Sequence, residues 1–212
     1  MKLFGYWRSS ATYRVRIALA LKGLDYDYAP INLLAGEQKS EAYLAKNPLG
    51  LVPAFETDDG AVLVQSLAIM EYLEEAYPAP PILPERPEET ARARAVAATI
   101  ACEAQPFMNL RIQNYLKKER GFDDAAVSDW LNRWPGAAMA AAEQLIAQTA
   151  GDYCVGDAPT IADCCLVPQM YAAQRFGVDV SGFKRLNEIN ARCLAHPAFE
   201  KAHPDNQPDA QA

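Results

Sequence analysis

The chain begins with KLFGYW, in which apolar and less apolar side chains alternate, and then changes period. Residues 2–7 therefore predict a strand, and residues 11–22, with Val15, Ala18 and Leu19 on one side of a helical repeat, predict a helix stopped by Gly23. YDYAPIN (26–32) reads as a second strand, and EQKSEAYLAKN (37–47) as a short helix that ends before Pro48. VPAFET and AVLVQ read as two strands of a hairpin turning at Asp58, Asp59 and Gly60, and SLAIMEYLEEAY (66–77) as an amphipathic helix. The first eighty residues thus predict βαβαββα.

A proline-rich stretch, YPAPPILPERPEE, suits neither a helix nor a central strand. Beyond it, residues 88 to about 120, 123–149, 160–176 and 184–195 carry helical spacing, without alternating Val/Thr-rich runs. The expected architecture is an α/β domain over 1–80, a linker over 81–87 and an all-helical domain over 88–212. The tail, HPDNQPDAQA, has little apolar content and is expected to be poorly ordered.

Half of the 212 residues are hydrophobic, enough for a substantial core, and the formal net charge of −7 argues against a nucleic-acid surface. MKLFGYW reaches a polar turn at Arg8, so neither the apolar core of a signal peptide nor a membrane span is expected, and a cytoplasmic protein is. The five cysteines, Cys102, Cys154, Cys164, Cys165 and Cys193, lack C-x-x-C spacing and suit reduced, packed thiols. The only histidines, His196 and His203, lie near the tail, which argues against a Ser-His-Asp triad or a histidine metal site near the opening motif. Asp163 stands three residues after Thr160, in the spacing of a capping box, and reads as a structural cap rather than an active-site acid.

One cluster asks for chemistry from elsewhere. Ser9, Ser10 and Thr12 crowd the start of the first helix, where unpaired N–H groups and the positive end of the helix dipole favour an anion, yet no cysteine or histidine is at hand. Together with NPLGLVP, QSLAIMEYLEE, INLLAGEQ and GDAPTIADCCLVPQ, the segment RSSATYRVRIALALKG resembles the zeta class of the cytosolic glutathione transferases, over nearly the whole chain. Zeta sequences commonly read S-S-C in this turn, whereas Ala11 takes the cysteine's place here, which leaves open the activities that depend on that cysteine but not the use of glutathione's own thiol.

The resemblance implies a thioredoxin-like domain followed by a helical substrate-binding domain, a homodimer, and glutathione as a regenerated cofactor. It makes Ser10 the leading partner of the glutathione thiolate, with Ser9 assisting. A thiol of pKa near 8.5 is about 3% ionised at pH 7, and lowering that value by about two raises the reactive fraction more than tenfold. By the same resemblance Val52 and Pro53, a cis-proline position, offer backbone to the tripeptide, Gln65 and Ser66 suit its γ-glutamyl carboxylate, and Gln38 its glycyl end. Gln105 and Asn109 are pocket polar groups or helix-packing partners. Arg8, Arg111 and Arg175 match positions that face a dicarboxylate substrate, while Arg14 and Arg16 read as structural. The implied reaction is cis–trans isomerisation of maleylacetoacetate, a step of tyrosine catabolism, with maleylpyruvate as the alternative substrate; Leu110, at a position that is arginine in some maleylpyruvate enzymes, favours the former. A general conjugating or dehalogenating transferase and a non-catalytic binding module remain open.

Overall fold

β1 (Lys2–Gly5) runs through the middle of a four-stranded sheet of order β2-β1-β3-β4. It pairs in parallel with β2 (Asp27–Pro30), Leu3 facing Tyr28, and antiparallel with β3 (Ala54–Glu56), Leu3 facing Phe55. β3 pairs antiparallel with β4 (Val62–Val64). The computed structural model describes residues 1–211. Each strand is two or three residues shorter than alternation predicts, because the flanking residues leave the ladder to form turns.

Between the strands lie α1 (Ser10–Leu21), α2 (Glu41–Leu44) and α3 (Ser66–Ala76), so the βαβαββα order is observed. The predicted helix over 37–47 is split: residues 37–39 form a 3-10 turn, and Ser40 then caps α2 by accepting a bond from Tyr43 N. Gly23, at φ 66°, takes the left-handed turn that ends α1, and Leu24 N returns to Leu19 O. Leu3, Ile17, Leu19, Phe55, Ile69 and Leu73 are fully buried and form the core of this unit.

The chain divides into two units, residues 1–82 with 196–212, and residues 83–195. The expectation of a poorly ordered tail is therefore corrected. His196 caps α10 (Pro197–Ala202), which packs on α1, and 3-10 turns follow at Pro204–Asn206 and Pro208–Gln211. Hydrogen bonds hold this segment together with the burial of Ala198, Phe199 and Ala202: Ala202 O accepts from Arg16 Nε (3.0 Å), and Asp209 Oδ2 accepts from Trp7 N (3.0 Å) and Tyr28 OH (3.1 Å). The proline-rich stretch is also partly fixed. Lys22 Nζ, buried, donates to Glu74 Oε2 (2.6 Å), Tyr77 O (2.7 Å) and Pro80 O (3.1 Å), and Ile82 is buried.

The second unit contains α4 (Pro87–Ala98), α5 (Gln105–Met108), α6 (Leu110–Lys118), α7 (Asp124–Ile146), α8 (Ile161–Phe176) and α9 (Lys184–Leu194). The single helix expected from 88 to about 120 is interrupted by a π-helical segment, Thr99–Ala104, and restarted at Leu110 with Asn109 as cap. α7 and α8 run through Pro135 and Pro168.

Arg16 is the residue on which unit 1 closes. It is 1% exposed, and besides its bond to Ala202 O it donates from Nη2 to Trp7 O (2.9 Å). Arg16→Met removes both bonds and strands two carbonyls, and is expected to cost about 3 kcal/mol of unfolding free energy. Urea unfolding checks this; a loss within experimental error of zero contradicts the role.

Candidate active site

In unit 1 the candidate residues gather around two helix starts. The turn from β1 into α1 is set by Ser9 N donating to Tyr6 O (2.9 Å), and Ser9 becomes the N-cap, its Oγ accepting from Thr12 N (3.2 Å). That acceptor bond leaves the Ser9 hydroxyl proton able to be donated elsewhere. Ser10 is the first residue of α1 and is half-buried, so both hydroxyls sit at the positive end of a three-turn helix. Thr12, the third hydroxyl of the cluster, is buried, its side chain 3.2 Å or less from where a side chain on Gly5 would begin.

Arg8, just before the serines, lies over the Trp7 ring at 4.4 Å and donates from Nη2 to Tyr6 OH (3.2 Å). Its Nε is buried and has no hydrogen-bond partner among the described residues. The guanidinium is thus pre-oriented on an aromatic shelf with a donor to spare.

The second helix start is that of α3. Gln65 adopts φ 72°, ψ 117°, the one non-glycine residue with positive φ among those described, and Ser66 behind it is buried. Positive φ is uncommon outside glycine, so Gln65 holds a sparsely populated backbone conformation at the start of α3. Ser66 Oγ accepts from Arg14 Nη1 (3.2 Å), a link across from α1.

Between these starts the Val52–Pro53 bond is cis, and so is Ala79–Pro80, which the sequence pattern does not single out. Val52 packs with Tyr43 and Ala54, and the carbonyl before it, Leu51 O, accepts from Tyr43 OH (2.7 Å) and Asn47 Nδ2 (2.7 Å). Sequence reasoning misses both donors; Asn47 figures there only as the end of a helix. Gln38 is brought beside this loop: its carbonyl would lie 3.1 Å from a Cβ on Gly50, which has φ 59°. Gln38 Oε1 is buried without a hydrogen-bond partner among the described residues.

These observations fit a peptide with a thiol and carboxylates at its ends. The Ser9 and Ser10 hydroxyls lie at the positive end of the α1 dipole and α3 offers a second helix N-terminus, both of which suit an anion. Ser9, Ser10, Gln38, Val52, Pro53, Gln65 and Ser66 are the residues that would hold glutathione.

In unit 2 the interrupted helix sets the candidate residues. Asn109 Oδ1 accepts from Arg111 N (3.0 Å), so Asn109 serves as the cap of α6. Gln105, half-buried, begins α5. Arg111 is exposed and lines a cleft of ≈ 250 Å³ with Phe107, Ile112, Tyr115 and Trp130; Trp130 Nε1 donates to Phe107 O (3.1 Å). Arg175, in the last turn of α8, is exposed and stacks over Phe176 at 4.4 Å. Met108, Ala172, Ala173 and Phe176 share one apolar cluster, which packs the segment bearing Arg111 and the end of α8 into one body.

Asp163 and four of the cysteines are buried in the fold, whereas Cys102 is exposed and departs from the packed thiol expected of it. Asp163, fully buried, accepts from Cys154 N (2.9 Å), Thr160 N (2.8 Å) and Thr160 Oγ1 (3.0 Å), completing the capping box. The bond to Cys154 is not legible from spacing. Cys154, Cys164, Cys165 and Cys193 are buried free thiols, and burial pushes those of Cys154, Cys164 and Cys193 upward, away from the reactive thiolate.

Comparison with known proteins decides the family. The profile described as glutathione S-transferase, N-terminal domain, matches residues 1–75. Maleylacetoacetate isomerase of Pseudomonas aeruginosa is 50% identical over 214 residues, covering all of both chains. The chain belongs to the zeta class of the glutathione transferase family. A holo structure of maleylpyruvate isomerase, described as a bacterial zeta-class glutathione S-transferase, superimposes with a TM-score of 0.94 at 43% identity, covering 99% of each chain. Maleylacetoacetate isomerase of Methylobacterium extorquens AM1, solved with bound malonate and glutathione, gives a TM-score of 0.94 at 38% identity, covering 100% of each chain. Membership in this family accounts for the fold, a thioredoxin-like sheet unit and a helical unit, each built as described above.

Two measurements probe the local structure of this zeta-class chain. Ser9→Ala removes the cap on Thr12 N and is expected to lower stability by about 1 kcal/mol, read by urea unfolding. Asp163 tests a pH dependence. Burial raises its carboxyl above the ordinary 3.8, against the pull of the Cys154 and Thr160 bonds. A group raised on folding contributes stability that is complete below its unfolded value and is lost as pH climbs through the folded one. Asp163→Asn lacks this titration, so the stability advantage of wild type over the variant should shrink as pH rises above 3.8. An advantage that grows with pH would reverse the assignment.

Proposed function

We propose that this chain catalyses the glutathione-dependent cis–trans isomerisation of maleylacetoacetate to fumarylacetoacetate, in aromatic amino-acid catabolism, with glutathione regenerated. The observation that carries the reading is the pair of polar helix starts in unit 1, Ser9–Ser10 at α1 and Gln65–Ser66 at α3, in a chain 50% identical to a maleylacetoacetate isomerase throughout. Bound glutathione supplies the nucleophilic sulfur whose reversible addition to the double bond permits rotation about it.

The chain's own residues do the rest. Ser10, assisted by Ser9, donates a hydrogen bond that favours the ionised sulfur, and the dipole of α1 adds to it. Lowering the thiol pKa by about two requires about 2.7 kcal/mol, within reach of one or two charge-assisted bonds and a helix terminus. Arg8 and Arg175 hold the carboxylates of the substrate and stabilise negative charge developing on its carbonyl oxygen. Arg8 is suited to this by its guanidinium, stacked on the Trp7 ring. The malonate bound to the Methylobacterium relative supports a dicarboxylate as the substrate class.

Maleylpyruvate is the second reading, favoured by exposed Arg111 at the aromatic cleft. Leu110, exposed beside it, favours maleylacetoacetate. The same reading places a homodimer in the cytoplasm: five free cysteines suit a reducing compartment, and among the described residues no helix is long and apolar enough to cross a membrane. Light scattering at micromolar concentration reports the dimer.

Ser10→Ala should leave folding nearly intact and lower turnover at neutral pH, with partial recovery at higher pH as more thiol ionises unaided. Undiminished activity in Ser10→Ala removes the thiolate role. Arg8→Ala or Arg175→Ala should lower kcat/KM for maleylacetoacetate by about 30-fold or more, with lysine a poor substitute. Each should leave conjugation of a neutral aromatic electrophile nearly unchanged. Equal losses on both substrates favour a general conjugating transferase instead.

A further inference from the structure

Arg14 reads from the sequence as a structural residue of α1, yet its surroundings give it a more specific task. It is 2% exposed, and its Nη1 donates to Ser66 Oγ at 3.2 Å. Guanidinium has donors and no acceptor, while a hydroxyl has one proton and two lone pairs. The Arg14 bond must therefore use a lone pair of Ser66, and the hydroxyl proton is directed to another acceptor. Arg14 also lies four residues after Ser10, one turn along the same face of α1. One helix thus presents Ser10 at its end and, a turn later, backs the start of α3.

We propose that Arg14 is a positioning residue for glutathione: from inside the protein it fixes Ser66 as a hydrogen-bond donor to the α-carboxylate of the γ-glutamyl group. This inference rests on the reading of Ser66 as that carboxylate's partner. A buried cation behind a neutral hydroxyl strengthens the hydroxyl as a donor and attracts an anion bound on its opposite side. The thiol and the γ-glutamyl end of the tripeptide are then met by two helix starts that one arginine ties together.

The test compares glutathione with γ-aminobutyryl-cysteinyl-glycine, which lacks only the α-carboxylate, by calorimetric titration of the full chain. Wild type should prefer glutathione. Arg14→Met should reduce that preference about tenfold, with the analogue bound about as well as by wild type. Arg14→Lys keeps a charge and a donor, should lose less of the preference, and supplies the same comparison if the methionine variant does not fold. Equal weakening of both ligands in the Arg14 variants overturns the proposal, since general support of the unit moves both together. Ser66→Ala separates the two assumptions. If it removes the preference and the Arg14 variants do not, the inference about Arg14 fails alone; if it weakens both ligands equally, the reading of Ser66 fails.

Discussion

Two arginines inside α1 govern what the rest of unit 1 can be. Burying a guanidinium is unfavourable unless its donors find acceptors, and burial here lowers the pKa of Arg16 from its ordinary value, with nearby tyrosines and Asp209 acting against that trend. Among the acceptors are backbone and hydroxyl oxygens at widely separated points of the chain: Trp7 and Ala202 for Arg16, Ser66 for Arg14. Each arginine therefore converts its own desolvation cost into a geometric requirement. The turn before Ser9, the end of α10 and the start of α3 must all lie where one rigid helix can reach them.

That constraint explains the character of the site. The groups that would meet glutathione are small and neutral, serines, glutamines and backbone, and none is strongly basic or nucleophilic alone. Their usefulness comes from being held at helix termini, where dipoles and unpaired N–H groups supply the field. Trp7 is gripped on both sides, its N–H by Asp209 and its carbonyl by Arg16, so the residue two before the cap has little freedom. Arg8 is in turn steadied by the Trp7 ring. Groups tied to the fold in this way keep little conformational freedom, so less entropy is lost when they bind.

What the sequence discloses follows from how each feature is encoded. Periodicity marks β1, α1, α3 and the helices of unit 2, because one apolar face repeats along each. The Thr160–Asp163 box is legible since both partners lie within one turn. The tail is not, because Asp209 and Gln207 are fixed by hydrogen bonds to residues far away in sequence or to backbone, a contribution that composition does not register. The π-helical break before Gln105 escapes for a related reason: Thr99–Ala104 keeps a helical pattern while changing its hydrogen bonding. Arg14 and Arg16 belong in the core although charged side chains are seldom fully buried, and only their partners reveal why. The roles proposed for Ser10, Gln38 and Ser66 come from family likeness, since a hydroxyl at a helix start is otherwise just a cap.

The order of the units along the chain also shapes how the protein is made. Residues 83–195 are inserted between the two parts of unit 1, so a ribosome finishes the helical unit before it releases α10 and Asp209. During that interval Arg16 and Trp7 have been synthesised without Ala202 and Asp209, the partners they hold in the finished fold. Domains generally fold as they emerge. Here the unit translated first would be the one completed last, with the turn leading to Ser9 and Ser10 secured only when the final segment docks.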